Sequence, residues 1–138
     1  MGMGSMRILL FIIIAILAGI PSVAFAEDVT VPANRTSAIS GFWVFGEQNC
    51  HHPGRLKHHV GRNPQHGKIA VKFEKRRIPQ EVSDKCAGRM SGVMVIYYTP
   101  DRGYRGKDNA TVNLQFPEYQ GGYGNNRGRA LRFSLTVR

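Results

Sequence analysis

The sequence predicts an all-β fold, an antiparallel β-sandwich of about six to seven short strands. Three observations carry this prediction. Apolar and polar residues alternate in several separate segments, 16 glycines and 7 prolines punctuate the chain, and no stretch after residue 26 has helical periodicity. A chain of 138 residues has room for one such domain, which excludes larger folds such as a TIM barrel.

The strands follow from the spacing of the apolar residues. Six segments are predicted to be strands, in chain order 28–32, 39–46, 69–74, 91–98, 110–116 and 131–138. Segment 131–138 alternates most strictly, with the period of two of a strand that buries one face. Segment 91–98 is apolar at both parities, which is typical of a central strand covered on each side. Segment 28–32 is short and is expected at a sheet edge.

Residues 1–26 have the pattern of a removable export signal. An apolar run over 8–20 is followed by the small-x-small triplet 24–26 that signal peptidase requires. This run is shorter than the roughly 20 residues that span a bilayer. We therefore expect cleavage before Glu27, a periplasmic or secreted location with no membrane span after cleavage, and a single domain over 27–138.

The two cysteines, Cys50 and Cys86, are expected to form a disulfide. In an oxidising compartment two cysteines usually pair, and no Cys-x-x-Cys spacing indicates redox chemistry. The loop that such a bond closes spans about 36 residues, for which loss of chain entropy in the unfolded state gives on the order of 4 kcal/mol. The disulfide is therefore predicted to supply a large part of the stability.

One set of residues in the middle of the chain carries a family resemblance. It comprises His66, Gly67, Tyr98, Pro100, Gly103, Tyr104, Gly106 and Asp108. Their order, HG, then YTP, then G-aromatic-x-G-x-D before a strand, resembles the bacterial Ig-like or cadherin-like modules of exported and surface proteins. The resemblance covers roughly residues 64–117 and implies an Ig-like sandwich.

The same residues have structural roles that can be argued from their chemistry. Pro100 ends a strand because it lacks an N–H, and Gly103 and Gly106 permit a positive φ. Asp108 can accept backbone N–H bonds that close a turn. Tyr104 is expected to lie over the end of the core with its hydroxyl bonded to the backbone, as in a tyrosine corner.

The segment 50–66 holds every histidine of the chain. These are His51, His52, His58, His59 and His66. Imidazoles bind zinc, copper or nickel, and the first four could converge on one ion. Against this, the spacing matches no established metal motif and adjacent residues of an extended chain point in opposite directions. A solvated basic loop and a metal site both remain open, and no other cofactor is expected.

The charge balance favours an anionic partner. Lys and Arg number 19 against 9 Asp and Glu, a formal net charge of +10. Such a field attracts an anionic envelope polymer or an acidic protein, and nucleic acid is disfavoured because an exported protein seldom meets it. Two loops offer candidate binding residues, which are Arg102, Arg105, Tyr119, Tyr123 and Arg127. The tyrosines lie among Gly and Asn, a composition typical of adaptable recognition loops.

Catalytic patterns are lacking in the sequence. There is no Gly-x-Ser-x-Gly elbow, and no pair of carboxylates is placed for acid and base chemistry. We therefore expect a non-enzymatic binding or envelope-associated module with a basic surface. The alternative is a periplasmic transition-metal-binding protein that uses the histidine-rich loop 51–66.

Overall fold

The computed structural model describes residues 26–51, 56–115 and 128–138. These residues form strands and no helix, so none of them forms a helix that could cross a membrane. The strands are β1 (Glu27–Val31), β2 (Ser37–Trp43), β3 (Lys57–Arg62), β4 (Gly67–Arg77), β5 (Met90–Pro100), β6 (Gly106–Gln115) and β7 (Gly128–Val137). The predicted all-β class is confirmed.

The strands form two sheets with the connectivity of the immunoglobulin fold. One sheet has the order β1-β7-β6-β3 and the other the order β2-β5-β4. An immunoglobulin constant-type domain also divides seven strands into sheets of four and three. Here β1 pairs with β7 instead of joining the sheet that contains β2. β1 runs parallel to β7, with Val29 opposite Leu135, because it crosses to that sheet instead of forming a hairpin with β2. All other pairs are antiparallel, as predicted.

The core lies between the two sheets and is built mainly from every second residue of the strands. Its largest fully buried members include Tyr98, Phe133, Met94, Ile96, Leu114 and Leu135. β5 is the central strand of its sheet, as predicted. Its opposite face is also closed, since Val93 and Val95 are 3% and 2% exposed.

A second, smaller cluster surrounds the disulfide. Cys50 and Cys86 are bonded, which confirms the pairing, and they are buried together with Ile78. Trp43 and Phe45 pack against this cluster. The bond ties the β2–β3 connection to the β4–β5 connection at one end of the sandwich, which we call the disulfide end.

One strand lies in the segment that the sequence had suggested was a loop. β3 (Lys57–Arg62) pairs with β6 at the edge of the four-stranded sheet. The interpretation of 51–66 as one continuous loop is therefore wrong for these residues. It failed because Val60 is the only strongly apolar side chain of the strand, so there is no alternation to detect.

Gly67 lies where β4 approaches β5 closely. A Cβ atom there would be 2.5 Å from Cε2 of Tyr98 and 2.6 Å from the backbone oxygen of Thr99. Replacing Gly67 with alanine is expected to cost about 2 kcal/mol, because the backbone oxygen cannot move without breaking the strand pairing. Gly41→Ala is the control, since its Cβ would meet only Val93 Cγ2 at 3.9 Å. Urea unfolding measures both, and equal stabilities would contradict the account.

Candidate functional site

The end of the sandwich opposite the disulfide is organised by one buried carboxylate. Asp108 is 4% exposed, and its oxygens accept the N–H groups of Gln65 and His66, each at 2.9 Å. It also accepts the N–H of Asn109 and the hydroxyl of Tyr98, again at 2.9 Å. The prediction that Asp108 accepts backbone N–H bonds is confirmed, but two of the three come from the β3–β4 connection and not from its own turn.

These bonds determine how the two buried groups ionise. Burial alone would raise the pKa of the Asp108 carboxyl, but the backbone N–H groups and the Tyr98 hydroxyl hold it below its usual value. Burial and the neighbouring Asp108 raise the pKa of Tyr98. Asp108 is therefore charged and Tyr98 neutral at physiological pH, which is a fully satisfied arrangement that stabilises the fold.

The remaining motif residues shape the adjoining turn. The hydroxyl of Tyr104 donates to the backbone oxygen of Lys107 at 2.6 Å, and its ring stacks on His66 with centroids 4.1 Å apart. Gly103 and Gly106 have φ of 78° and 136°. The expected roles of the tyrosine and both glycines are confirmed. These contacts hold the β3–β4 and β5–β6 connections together, so the role of this end of the molecule is structural.

The four described histidines lie in separate places. His58 and His59 project to opposite faces of β3, because they face Leu114 and Asn113 of β6. His51 lies in a bridge with Gly46 near the disulfide, and His66 lies at the other end of the sandwich. His52 is outside the described residues. Over 26–51, 56–115 and 128–138 no group of three or more His, Cys, Asp or Glu could hold a metal ion.

His58 faces a groove between the outermost strands of the two sheets, β3 and β4. The groove has a volume of about 660 Å³ and is lined by Leu56, Lys57, His58, Val71, Phe73 and Gln115. The imidazole of His58 lies against Phe73 at a centroid distance of 6.1 Å. The His58 ring therefore contacts an aromatic side chain. Nε2 of His59 lies 3.0 Å from the amide nitrogen of Asn113.

The binding residues proposed from the sequence are placed as follows. Arg102 and Arg105 are exposed on the β5–β6 connection. Arg102 borders a depression of about 550 Å³ with Asn34, whose Oδ1 accepts the Gly103 N–H at 2.7 Å. Tyr119, Tyr123 and Arg127 lie outside the described residues.

A larger basic surface is found on the outer face of the four-stranded sheet. Alternation places on this face every residue of β6 and β7 that does not enter the core. Its basic residues, which define what we call the basic face, are Lys57, His59, Arg62, Lys107 and Arg132. Between them lie the amides and hydroxyls of Asn109, Thr111, Asn113, Gln115, Ser134 and Thr136. The face is therefore polar apart from Ala130, and strongly cationic.

Arg62 reaches this face because β3 contains a bulge. The pairing shifts between Val60, opposite Val112, and Arg62, opposite Thr111, so that Gly61 is the extra residue. Without the bulge Arg62 would lie opposite Ala110, which is buried in the core. Bulges commonly redirect a side chain in this way. Here the bulge keeps a guanidinium out of the core and adds it to the basic face.

The basic face has little negative charge to balance it. Asp28 of β1, opposite Ser134, is its one carboxylate among the described residues. Lys107 Nζ donates to Thr136 Oγ1 at 2.7 Å. The single ion pair within the described ranges, Glu74 with Arg76, lies on the other sheet. The cations of the basic face are therefore available to an external anion.

The outer face of the three-stranded sheet carries fewer cations, which are Lys68, Lys72 and Arg76, and one of these, Arg76, is paired with Glu74. Glu74 accepts hydrogen bonds from the Tyr97 hydroxyl and from Arg76, and both lower the pKa of its carboxyl. Lys72 Nζ lies 5.4 Å from the centre of the Tyr97 ring. Among the described residues, this face thus leaves two lysines without a carboxylate partner, whereas the basic face leaves four Lys and Arg side chains without one.

The basic face was not predicted from the sequence. The sequence shows basic residues only by their position along the chain, whereas the face combines residues from three strands that are distant in sequence. The polar parity of 107–115 and 130–136 was a usable signal. The register that brings Arg62 and Arg132 to the same level, and the bulge that turns Arg62 outward, were not readable from spacing.

Comparisons with known proteins add no relative. No protein-family model matches the chain, and no curated protein matches it significantly. The fold and the site therefore rest on the structure itself, an immunoglobulin-like sandwich with one disulfide and a basic face on its four-stranded sheet.

Proposed function

We propose that the protein is an exported, non-enzymatic binding module that holds an anionic envelope polymer on its basic face. The observation that carries the proposal is the concentration of five basic residues on one face, with one carboxylate at its β1 edge. A surface of this kind raises the local concentration of anionic ligands. The disulfide supports export, because such bonds persist in oxidising compartments.

The chemistry of the basic face favours a polymer over an acidic protein. Protein interfaces are usually built around a buried apolar centre. Ala130 is the only apolar side chain that the described residues of β3, β6 and β7 place on this face. Amides and hydroxyls fill the rest, and they suit a ligand rich in hydroxyl groups and charge.

The proposal predicts that neutralising the basic face abolishes most polymer binding. The test variant is K57Q/R62Q/K107Q/R132Q, and the matched control is K68Q/K72Q/K75Q/K85Q, which removes the same charge from exposed residues elsewhere. With about 0.5 kcal/mol per exposed charge, the test variant should bind dextran sulfate roughly 30-fold more weakly. Isothermal titration calorimetry at several salt concentrations measures the affinity and its salt dependence.

The control distinguishes a defined face from general basicity. It should bind within about threefold of the unmodified protein. Equal losses in the two variants would show that net charge alone attracts the polymer, and affinity that stays constant at high salt would contradict the electrostatic account. An acidic protein that competes more strongly than the polymer would replace the polymer as partner.

A further inference from the structure

In one row across the strands of the basic face, one arginine lies on each side of a hydroxyl group. Arg62 lies opposite Thr111, and Thr111 lies opposite Arg132. Neighbouring strands are about 4.8 Å apart, so the two arginine Cα atoms are separated by roughly 10 Å. Arginine side chains are long enough for both guanidinium groups to converge on one ligand group above Thr111.

We propose that Arg62, Thr111 and Arg132 form a subsite for a sulfate or phosphate ester group of an acidic polysaccharide. The inference rests on the function proposed above and adds the chemical group that is recognised. Each guanidinium offers paired N–H donors, and the hydroxyl offers one more from below. A sulfate or phosphate ester presents three free oxygens and a carboxylate presents two, so this donor set matches the tetrahedral group.

The electrostatic surroundings of the row agree with this assignment. Within the described ranges neither Arg62 nor Arg132 has a carboxylate partner. The carboxylate of Asp28 belongs to the next row, opposite Ser134. Both arginines are exposed, and Thr111 between them is half-buried. An incoming anion therefore displaces water from these groups and does not have to break an existing ion pair.

The bulge in β3 explains how Arg62, Thr111 and Arg132 come to lie in one row. β3 uses Gly61 as the extra residue, and this brings Arg62 level with Arg132. A Cβ on Gly61 would lie 2.3 Å from Nδ2 of Asn113, so glycine also leaves room for that amide beside the subsite. Gly61 therefore both brings Arg62 level with Arg132 and leaves room for the Asn113 amide beside them.

The test uses three ligands with one backbone, namely dextran sulfate, dextran phosphate and carboxymethyl-dextran of matched charge density. The test variant is R62K/R132K, which keeps the charge but loses the planar fork of the guanidinium. The unmodified protein should prefer the sulfate or phosphate polymer to the carboxylate polymer by about tenfold or more, and the variant should lose that preference. R35K/R89K, two exposed arginines outside the row, is the control and should keep it.

The outcomes separate the subsite from the broader function. If R62K/R132K binds all three polymers as the unmodified protein does, the subsite is overturned while the basic face remains a polymer-binding surface. If the unmodified protein binds none of them, both proposals fail. A preference for the carboxylate polymer also overturns the subsite. Unfolding midpoints of the variants, measured in parallel, show that the fold is retained, and sulfate against phosphate affinity identifies the ester.

Discussion

Replacing Asp108 with alanine is expected to lower the free energy of unfolding by about 3 to 4 kcal/mol. The buried carboxylate accepts partly buried N–H bonds from Gln65 and His66 and a buried bond from the hydroxyl of Tyr98. Alanine leaves these donors without an acceptor, and each buried unsatisfied donor costs about 1 kcal/mol or more. Urea denaturation followed by circular dichroism measures the change.

Two further variants test whether the loss depends on the number of hydrogen bonds removed and on the burial of the carboxylate. Tyr98→Phe removes one donor and leaves the three N–H bonds of the carboxylate in place, so it should cost only about 1 kcal/mol. Asp84→Ala changes an exposed carboxylate and should stay within about 0.5 kcal/mol of the unmodified protein. A smaller loss for D108A than for Y98F would contradict the role assigned to Asp108.

The Asp108 carboxylate also predicts a sensitivity to acid. Its folded-state pKa is held below the usual value by the bonds it accepts, so its contribution is complete above the unfolded-state pKa of about 3.9. That contribution is lost as the pH falls through the lower folded-state pKa. The stability difference between the unmodified protein and D108A should therefore shrink between about pH 5 and about pH 2. A constant difference over this range would show that ionisation of Asp108 does not matter.

Removing the disulfide is expected to cost about 4 kcal/mol. The bond closes a loop with a sequence separation of 36 residues, and its loss gives the unfolded chain more conformations. The sulfur atoms also pack with Ile78 and Trp43 in the second cluster, so C50A/C86A loses contacts as well. Guanidinium unfolding of C50A/C86A, and of the unmodified protein with and without a reductant, measures the effect.

The reductant provides the control for this prediction. It should destabilise the unmodified protein and leave C50A/C86A unchanged, because the variant has no disulfide to reduce. Unmodified protein that unfolds at the same denaturant concentration in both redox states would show that the bond does not constrain the fold.

Much of the fold was predictable because it depends on local chemistry. Alternation identified β4, β6 and β7, and the apolar content of β5 at both parities identified it as a central strand. The turn roles of Gly103, Tyr104 and Asp108 followed from backbone geometry and hydrogen-bonding capacity. These features need no knowledge of which strands are neighbours, except that the Gln65 and His66 donors to Asp108 lie on the distant β3–β4 connection.

The missed features depend on tertiary pairing. β3 is polar on both faces apart from Val60, and only its pairing with β6 makes it a strand. Arg62 and Arg132 are far apart in sequence, and the register of three strands brings them together. For the same reason the described members of the candidate metal set, His51, His58 and His59, are divided in space between the faces of β3 and the disulfide end.

The central claim is that the anionic ligand lies on the basic face, and the most direct measurement is a map of the contact. Titrating isotopically labelled protein with a short dextran sulfate, while recording amide and side-chain NMR shifts, identifies the residues that meet the ligand. The account predicts the largest shifts at Arg62, Thr111 and Arg132 and along the outward residues of β6. Shifts confined to the β2-β5-β4 sheet, or to the β5–β6 connection around Arg102, would contradict it.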